Sequence, residues 1–172
     1  VQIGTLSKAL ANMGGYVAGS RSLVDYLRNR ARSFIYSTAL PPSVLAASLA
    51  ALKLIGSQEG TERRKTLWEN VYYLREGLSE MGFRLLKSET HILPLLIGEA
   101  TPTLALAERL LHEGVFAPAI RPPTVPQGKC RLRISLMATH SQEQLKQALI
   151  ALGKVGKELR LLKRNRDAKE WE

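Results

Sequence analysis

Gly4-Thr5-Leu6-Ser7-Lys8-Ala9-Leu10, followed by Gly14-Gly15, sets a lysine beside two hydroxyl-bearing residues and just ahead of a glycine pair. An amine between a strand end and a glycine-rich stretch can point into a cleft. There it can form a Schiff base with a phosphate-bearing aldehyde, and a desolvated amine is a good nucleophile. Thr5 and Ser7 bring hydroxyls next to it. The same residues also read as a solvated surface lysine, as most lysines are. A second segment, residues 33–42, carries Ser37 and Thr38 just ahead of Pro41-Pro42. Adjacent hydroxyls before a helix start can bind phosphate, because the helix N-terminus is already positive. They also suit a plain N-cap before a proline-initiated helix. A third segment runs from Ile120 through Arg121, Pro122, Pro123, Thr124, Val125 and Pro126 to Gly128, and on to Arg131-Leu132-Arg133-Ile134-Ser135. Its prolines stiffen the loop. Arg131 and Arg133 alternate with Leu132 and Ile134, so both arginines share one strand face. Such an arginine can grip a carboxylate bidentately; a solvated strand face gives the same pattern.

These segments need elements to hold them. Residues 1–3 read as the end of a strand, and residues 14–19 as a short buried strand bounded by glycines. Ser22 with Asp25 fits a capping box opening a short helix through Leu27. Residues 34–38 read as extended. A helix follows Pro41-Pro42, with an apolar stripe of Leu45, Leu49, Leu52 and Ile55 and a stop at Gly56. The clearest helix covers residues 61–81, where Leu67, Val71, Leu74 and Leu78 recur at spacings of three and four and Gly82 ends it. Strands are expected over 92–97, 115–117 and 132–136, and a helix over 104–111. Ser141 with Gln144 caps a last amphipathic helix carrying Leu145, Leu149 and Leu152. His91 before a strand and His140 before a helix cap read as structural. Residues after about Leu162 are strongly polar and expected to fray.

GTLSKA with GGY, FIYSTALPP, and IRPPTVP with RLRIS occur in an order and spacing that resembles the α-oxoamine synthase family of pyridoxal-phosphate enzymes. The resemblance runs over nearly the whole chain, up to about Leu162, and the coincidence of three motifs is more specific than any one. It implies an α/β fold: the C-terminal portion of a fold-type-I PLP-dependent transferase. Residues 1–60 would be the end of the large cofactor-binding domain, and residues 61–172 a small C-terminal α/β domain with a polar tail. It implies that Lys8 is the catalytic lysine that carries pyridoxal 5'-phosphate, and that Thr5 hydrogen-bonds the cofactor. Ser37 and Thr38 would reach the phosphate bound in the neighbouring subunit of a homodimer. Arg133 would bind the amino-acid carboxylate and Thr124 would contact substrate; Arg121 lies nearby without an assigned role. The third motif is most similar to the branch that condenses L-alanine with a pimeloyl thioester, carried on coenzyme A or acyl carrier protein, in biotin biosynthesis. Other branches use glycine or serine with a different acyl-CoA. The family's aspartate at the pyridine nitrogen, its ring-stacking histidine and its glycine-rich phosphate turn lie upstream of the lysine. The chain starts abruptly at Val1, as a fragment would, so it is expected to hold the cofactor poorly alone.

Bulk composition narrows the alternatives. The chain has 172 residues, 45% of them hydrophobic, which suits a globular protein of one domain or one and a part. Its single cysteine, Cys130, permits no intrachain disulfide and fits a reducing, cytoplasmic compartment. No apolar run approaches the roughly 18 residues of a membrane span. No metal site is expected. The net charge of +10 attracts polyanions, so a non-catalytic basic module binding nucleic acid is the rival reading. Against it, only 6% of residues are aromatic and they do not interleave with the basic ones. A phosphate-bearing cofactor or a nucleotide thioester suits the same sign of charge.

Overall fold

The computed structural model describes residues 1–162 and divides the chain into two units, Val1–Glu62 and Arg63 onward. The polar tail expected to fray lies outside the described residues. In the first unit, β1 (Gln2–Thr5) pairs antiparallel with β2 (Gly15–Ala18), with Thr5 opposite Gly15 and Gly4 opposite Tyr16. The far end of the exposed Tyr16 ring lies over Gly4, in the space a Cβ would take. β2 is a strand, as its pattern predicts, but it is exposed along its length rather than buried, because the sheet has only two strands.

Helix α1 (Arg21–Arg30) follows, then a single helical turn, α2 (Arg32–Ile35), and then α3 (Pro42–Ile55). Two expectations are corrected here. The cap of α1 is Ser20, not Ser22: the Ser20 hydroxyl accepts from the Leu23 amide at 3.3 Å. The stretch 34–38 is not extended. Ile35 N–H donates to Ala31 O and Tyr36 N–H to Arg32 O, each at 3.0 Å, so local helical bonds override the β-propensity of Phe34-Ile35-Tyr36. α3 starts with proline in its first turn and ends at Gly56, as read from the sequence.

The second unit has a conventional core. α4 (Gln58–Glu80) begins in the first unit and presents Val71, Leu74 and Leu78, all essentially inaccessible to solvent. β3 (Arg84–Leu85), β4 (Ile92–Gly98), β5 (Ala119–Ile120) and β6 (Cys130–Ser135) form an antiparallel sheet in the order β3-β4-β6-β5. Leu95 lies opposite Leu132 and Leu93 opposite Ile134, so one sheet face feeds the core. α5 (Ala100–His112) and α6 (Gln142–Glu158) add Leu106, Leu110, Leu145, Leu149 and Leu152 to it. Each fully buried leucine contributes about 2 kcal/mol of transfer free energy. Gly77 lets α6 approach α4 closely, since a Cβ there would sit 2.6 Å from Leu149 Cδ1.

The strand expected at 115–117 is displaced to Ala119–Ile120. Gly114, at φ +81°, terminates α5, and the Val115 amide turns back to the Leu110 carbonyl at 2.8 Å, so these residues close the helix instead of joining the sheet. Both halves of the Ser141–Gln144 capping box are present at α6. Asn70, 1% exposed, fastens α4 to the turn after β6: its amide donates to Met137 O at 3.1 Å and to His140 O at 3.0 Å. Among the described residues no helix is long and apolar enough to cross a membrane.

Candidate active site

Lys8 sits in the loop that joins β1 to β2. This loop is closed by backbone bonds from Leu6 N to Gly14 O, Asn12 N to Leu6 O and Ala11 N to Lys8 O, each 2.9 Å. The last is a tight turn with Lys8 at its start and Ala11 at its end, the latter in the left-handed region at φ 47°. Side chains on the β1 end cluster beside the amine. Thr5 Oγ1 and Ser7 Oγ are 2.7 Å apart, the Ser7 amide donates to Thr5 Oγ1 at 3.2 Å, and Lys8 Nζ is 3.5 Å from Ser7 Oγ. Lys8 is exposed and, among the described residues, forms no ion pair. An amine flanked by hydroxyls and free of a carboxylate is chemically suited to condense with an aldehyde. The structure thus brings Thr5, Ser7 and Lys8 together as the sequence suggests.

Ser37 and Thr38 are exposed and lie between α2 and α3. The Ser37 hydroxyl donates to Ser33 O, which closes the helical turn of α2. The cap of α3 is Pro41, with no side-chain hydrogen bond, so neither hydroxyl serves as the N-cap that the pattern also allowed. Leu40, two residues after Thr38, packs at the Lys8 loop: a Cβ on Gly14 would lie 2.8 Å from Leu40 Cδ1 and 3.4 Å from Leu6 Cδ1. A groove of about 670 Å³ in the same unit, lined by Ile3, Tyr16, Val17, Val24, Leu27 and Phe34 among others, does not include Lys8.

In the second unit, Arg133 lies on β6 opposite Pro94, on the sheet face away from Leu132. Its backbone amide donates to Pro118 O at 3.0 Å, and its exposed side chain forms no ion pair among the described residues. Arg131 shares the face, but its Nε is taken by Lys129 O at 3.0 Å. Thr124 sits in the turn after the cis Pro122–Pro123 bond, its amide donating to Arg121 O at 3.1 Å. Arg121 Nη1 reaches only the adjacent Pro122 carbonyl, at 3.4 Å. His140 is structural in its contacts: its Nδ1 accepts from the Met137 amide at 3.3 Å. His91 contributes its carbonyl, which accepts from Leu136 N at 3.1 Å. On α6, a 2.7 Å hydrogen bond to Glu113 and the charge of that carboxylate raise the Lys154 ammonium above the ordinary lysine range. Sequence reading missed Asn12, a part-buried side chain in the Lys8 loop whose amide reaches α3.

Residues 1–152 match the family model of aminotransferase class I and II. The chain is 53% identical over 157 residues to the 8-amino-7-oxononanoate synthase of Geobacter metallireducens, covering 91% of this chain and 40% of that one. It is 47% identical to the protein of the same name from Thermoanaerobacter pseudethanolicus, covering 94% and 40%. Among solved structures, serine palmitoyltransferase from Sphingomonas wittichii aligns with a TM-score of 0.86 at 30% identity, over 94% of this chain and 40% of that one. The 8-amino-7-oxononanoate synthase of Francisella tularensis aligns with a TM-score of 0.78 at 27% identity, over 91% and 45%. An SPT structure that holds PLP as an internal aldimine aligns at 0.86 and 28%, over 93% and 40%. The chain spans about 40% of the length of the curated relatives it matches.

Proposed function

We propose, because this chain belongs to the aminotransferase class I and II family, that it forms part of a pyridoxal-phosphate-dependent acyltransferase. In this reading the enzyme condenses L-alanine with a pimeloyl thioester, loses carbon dioxide and the thiol, and yields 8-amino-7-oxononanoate. The observation that carries the reading is the Lys8 amine, which among the described residues has no carboxylate partner and stands beside the Thr5–Ser7 hydroxyl pair. The choice of substrate follows the relatives: those at 47–53% identity are 8-amino-7-oxononanoate synthases.

The residues fit the cofactor. Lys8 would hold it through the amine, Thr5 would supply a hydroxyl, and Ser37 and Thr38 would meet the phosphate across a dimer interface. Pyridoxal phosphate, when bound, supplies an electron sink for negative charge at the amino-acid Cα. The protein's own part is positional and acid–base. Arg133 grips the L-alanine carboxylate with its paired N–H groups, and Thr124 contacts the bound substrate. With the amino acid bound, the Lys8 Nζ would accept the Cα proton as general base. Holding both substrates in line makes the carbon–carbon bond-forming step effectively unimolecular.

The test uses the full-length protein. Lys8→Ala should abolish carbon dioxide release from L-alanine and pimeloyl thioester, and with it the yellow imine absorbance. A variant that kept both would refute the role of Lys8. The TM-score to serine palmitoyltransferase exceeds that to the Francisella synthase, 0.86 against 0.78, so L-serine and glycine belong in the same assay. Turnover of L-serine with a long-chain acyl-CoA in preference to L-alanine would overturn the substrate assignment. Parallel pimeloyl donors on coenzyme A and on acyl carrier protein separate the two carriers.

A further inference from the structure

We infer that Asn12 is a positioning residue: it pins the Lys8 loop to α3 and thereby sets where the Lys8 amine stands. The inference rests on the cofactor-lysine reading of Lys8. The three backbone bonds that close residues 6–14 shape the loop without tying it to anything else. The side chain of Asn12 supplies the tie. Its Nδ2 donates to Val44 O at 2.6 Å and to Ser48 Oγ at 2.9 Å, while its Oδ1 accepts from the Met13 amide at 2.9 Å.

The receiving end is rigid. Ser48 is 6% exposed, the buried polar side chain of its unit, and its hydroxyl donates to Val44 O at 2.9 Å. Both hydrogens of the Asn12 amide are thus fixed on one turn of α3, four residues from the turn's start to its end. An alanine at position 12 would leave the Val44 carbonyl and Ser48 hydroxyl without that donor, and the loop without a polar anchor. Leu40 against Gly14 is an apolar contact beside it, and it does not fix direction. α3 follows directly on the segment that carries Ser37 and Thr38. Asn12 therefore couples the lysine loop to the element that continues from the phosphate-binding hydroxyls. The amine must approach the aldehyde carbon for its lone pair to form the C–N bond with loss of one water. Misplacing a reacting group by about 1 Å costs on the order of a hundredfold.

The experiment compares the full-length protein with Asn12→Ala, Ser48→Ala, Lys8→Ala and the double variant Asn12→Ala/Lys8→Ala. Pyridoxal phosphate affinity is read by absorbance titration, and the rate of borohydride-trapped labelling of the Lys8 peptide by mass spectrometry. Asn12→Ala is expected to weaken affinity about tenfold and to slow labelling by a similar factor, both within the range that misplacing a reacting group allows. In the Lys8→Ala background the same substitution should change affinity by less than about twofold, because it acts through the lysine. Ser48→Ala keeps the Val44 acceptor and should show a smaller loss, about threefold, and it decides the matter if Asn12→Ala does not fold. Equal weakening with and without Lys8 would reduce Asn12 to a structural residue, and no change in any Asn12 or Ser48 variant would overturn the inference alone. If Lys8→Ala bound the cofactor as tightly as the parent, with labelling elsewhere, the Lys8 reading would fall and the inference with it.

Discussion

Asn70 offers the sharpest test of how the second unit is held together. Its side chain is 1% exposed and makes three hydrogen bonds: donations to Met137 O at 3.1 Å and His140 O at 3.0 Å, and an acceptance from Gln142 Nε2 at 3.3 Å. Asn70→Ala removes all three. A protein hydrogen bond contributes about 1 kcal/mol net, and the two well-formed donations therefore amount to about 2 kcal/mol. The third bond is longer and comes from an exposed glutamine, so it adds little. The assay is urea unfolding followed by circular dichroism, where a fall in midpoint at unchanged slope reports stability. Asn70→Asp sharpens the test. At neutral pH its carboxylate would face two carbonyl oxygens in a buried site, which costs at least as much as alanine. Burial raises the carboxyl's folded-state pKa above its unfolded value, so the folded form takes up the proton first as pH falls. The gap to the parent should then narrow toward acid pH, where the protonated acid can donate one of the two bonds. An alanine variant within about 0.5 kcal/mol of the parent, or an aspartate variant equal to asparagine at pH 7, would refute the assignment.

Two further outcomes follow from single residues. Ala11 stands at φ 47°, where a Cβ is unfavourable, so Ala11→Gly should raise stability by about 0.5–1 kcal/mol in the same urea assay; a loss would mean that the turn does not hold that conformation in solution. Lys154 is raised above the ordinary lysine range by its hydrogen bond to Glu113 and by that carboxylate's charge. Because the folded value lies above the unfolded one, the contribution of the pair is present at neutral pH, where Glu113 is ionised, and is lost as pH rises through the raised value. Lys154→Met should therefore be slightly less stable than the parent at neutral pH and indistinguishable from it at strongly alkaline pH; a constant gap across that range would refute the sign. High salt should close the same gap, since the ammonium is exposed.

The elements legible in the sequence are those whose pattern and local chemistry agree. α4 shows a periodic apolar stripe that ends at Gly82, in the left-handed region at φ +86°, and α6 opens with a capping box whose two hydrogen bonds are both formed. β6 alternates as written: Leu132 faces the core and Arg133 the opposite side. The errors fall where a few local bonds outvote propensity. Phe34-Ile35-Tyr36 has strand-forming side chains, yet the amides of Ile35 and Tyr36 find carbonyls one turn back. Val115 is consumed by the C-terminus of α5, which moves the strand to Ala119–Ile120. β3, two residues long, carries too little pattern to be read at all.

Burial was the harder quantity in the first unit, and the reason is physical. Leu45, Leu49 and Leu52 recur on one face of α3 as a buried stripe should, yet they are 48%, 60% and 52% exposed. Periodicity records which face a helix keeps apolar; burial depends on which chain lies against it, and this chain spans about 40% of the length of its relatives. The same separation divides the candidate site. Thr5, Ser7 and Lys8 are neighbours in sequence, so a motif can report them together, and the structure places their polar atoms within 3.5 Å of one another in turn. Asn12 meets Val44 and Ser48 across 32 and 36 residues, with a strand and two helices between them, so no periodicity within one element links them. A lone polar residue in a loop has no signature until the fold brings its partner to it. The chemistry of the amine is thus written locally, while the precision with which the amine is held depends on a contact that only the tertiary structure contains.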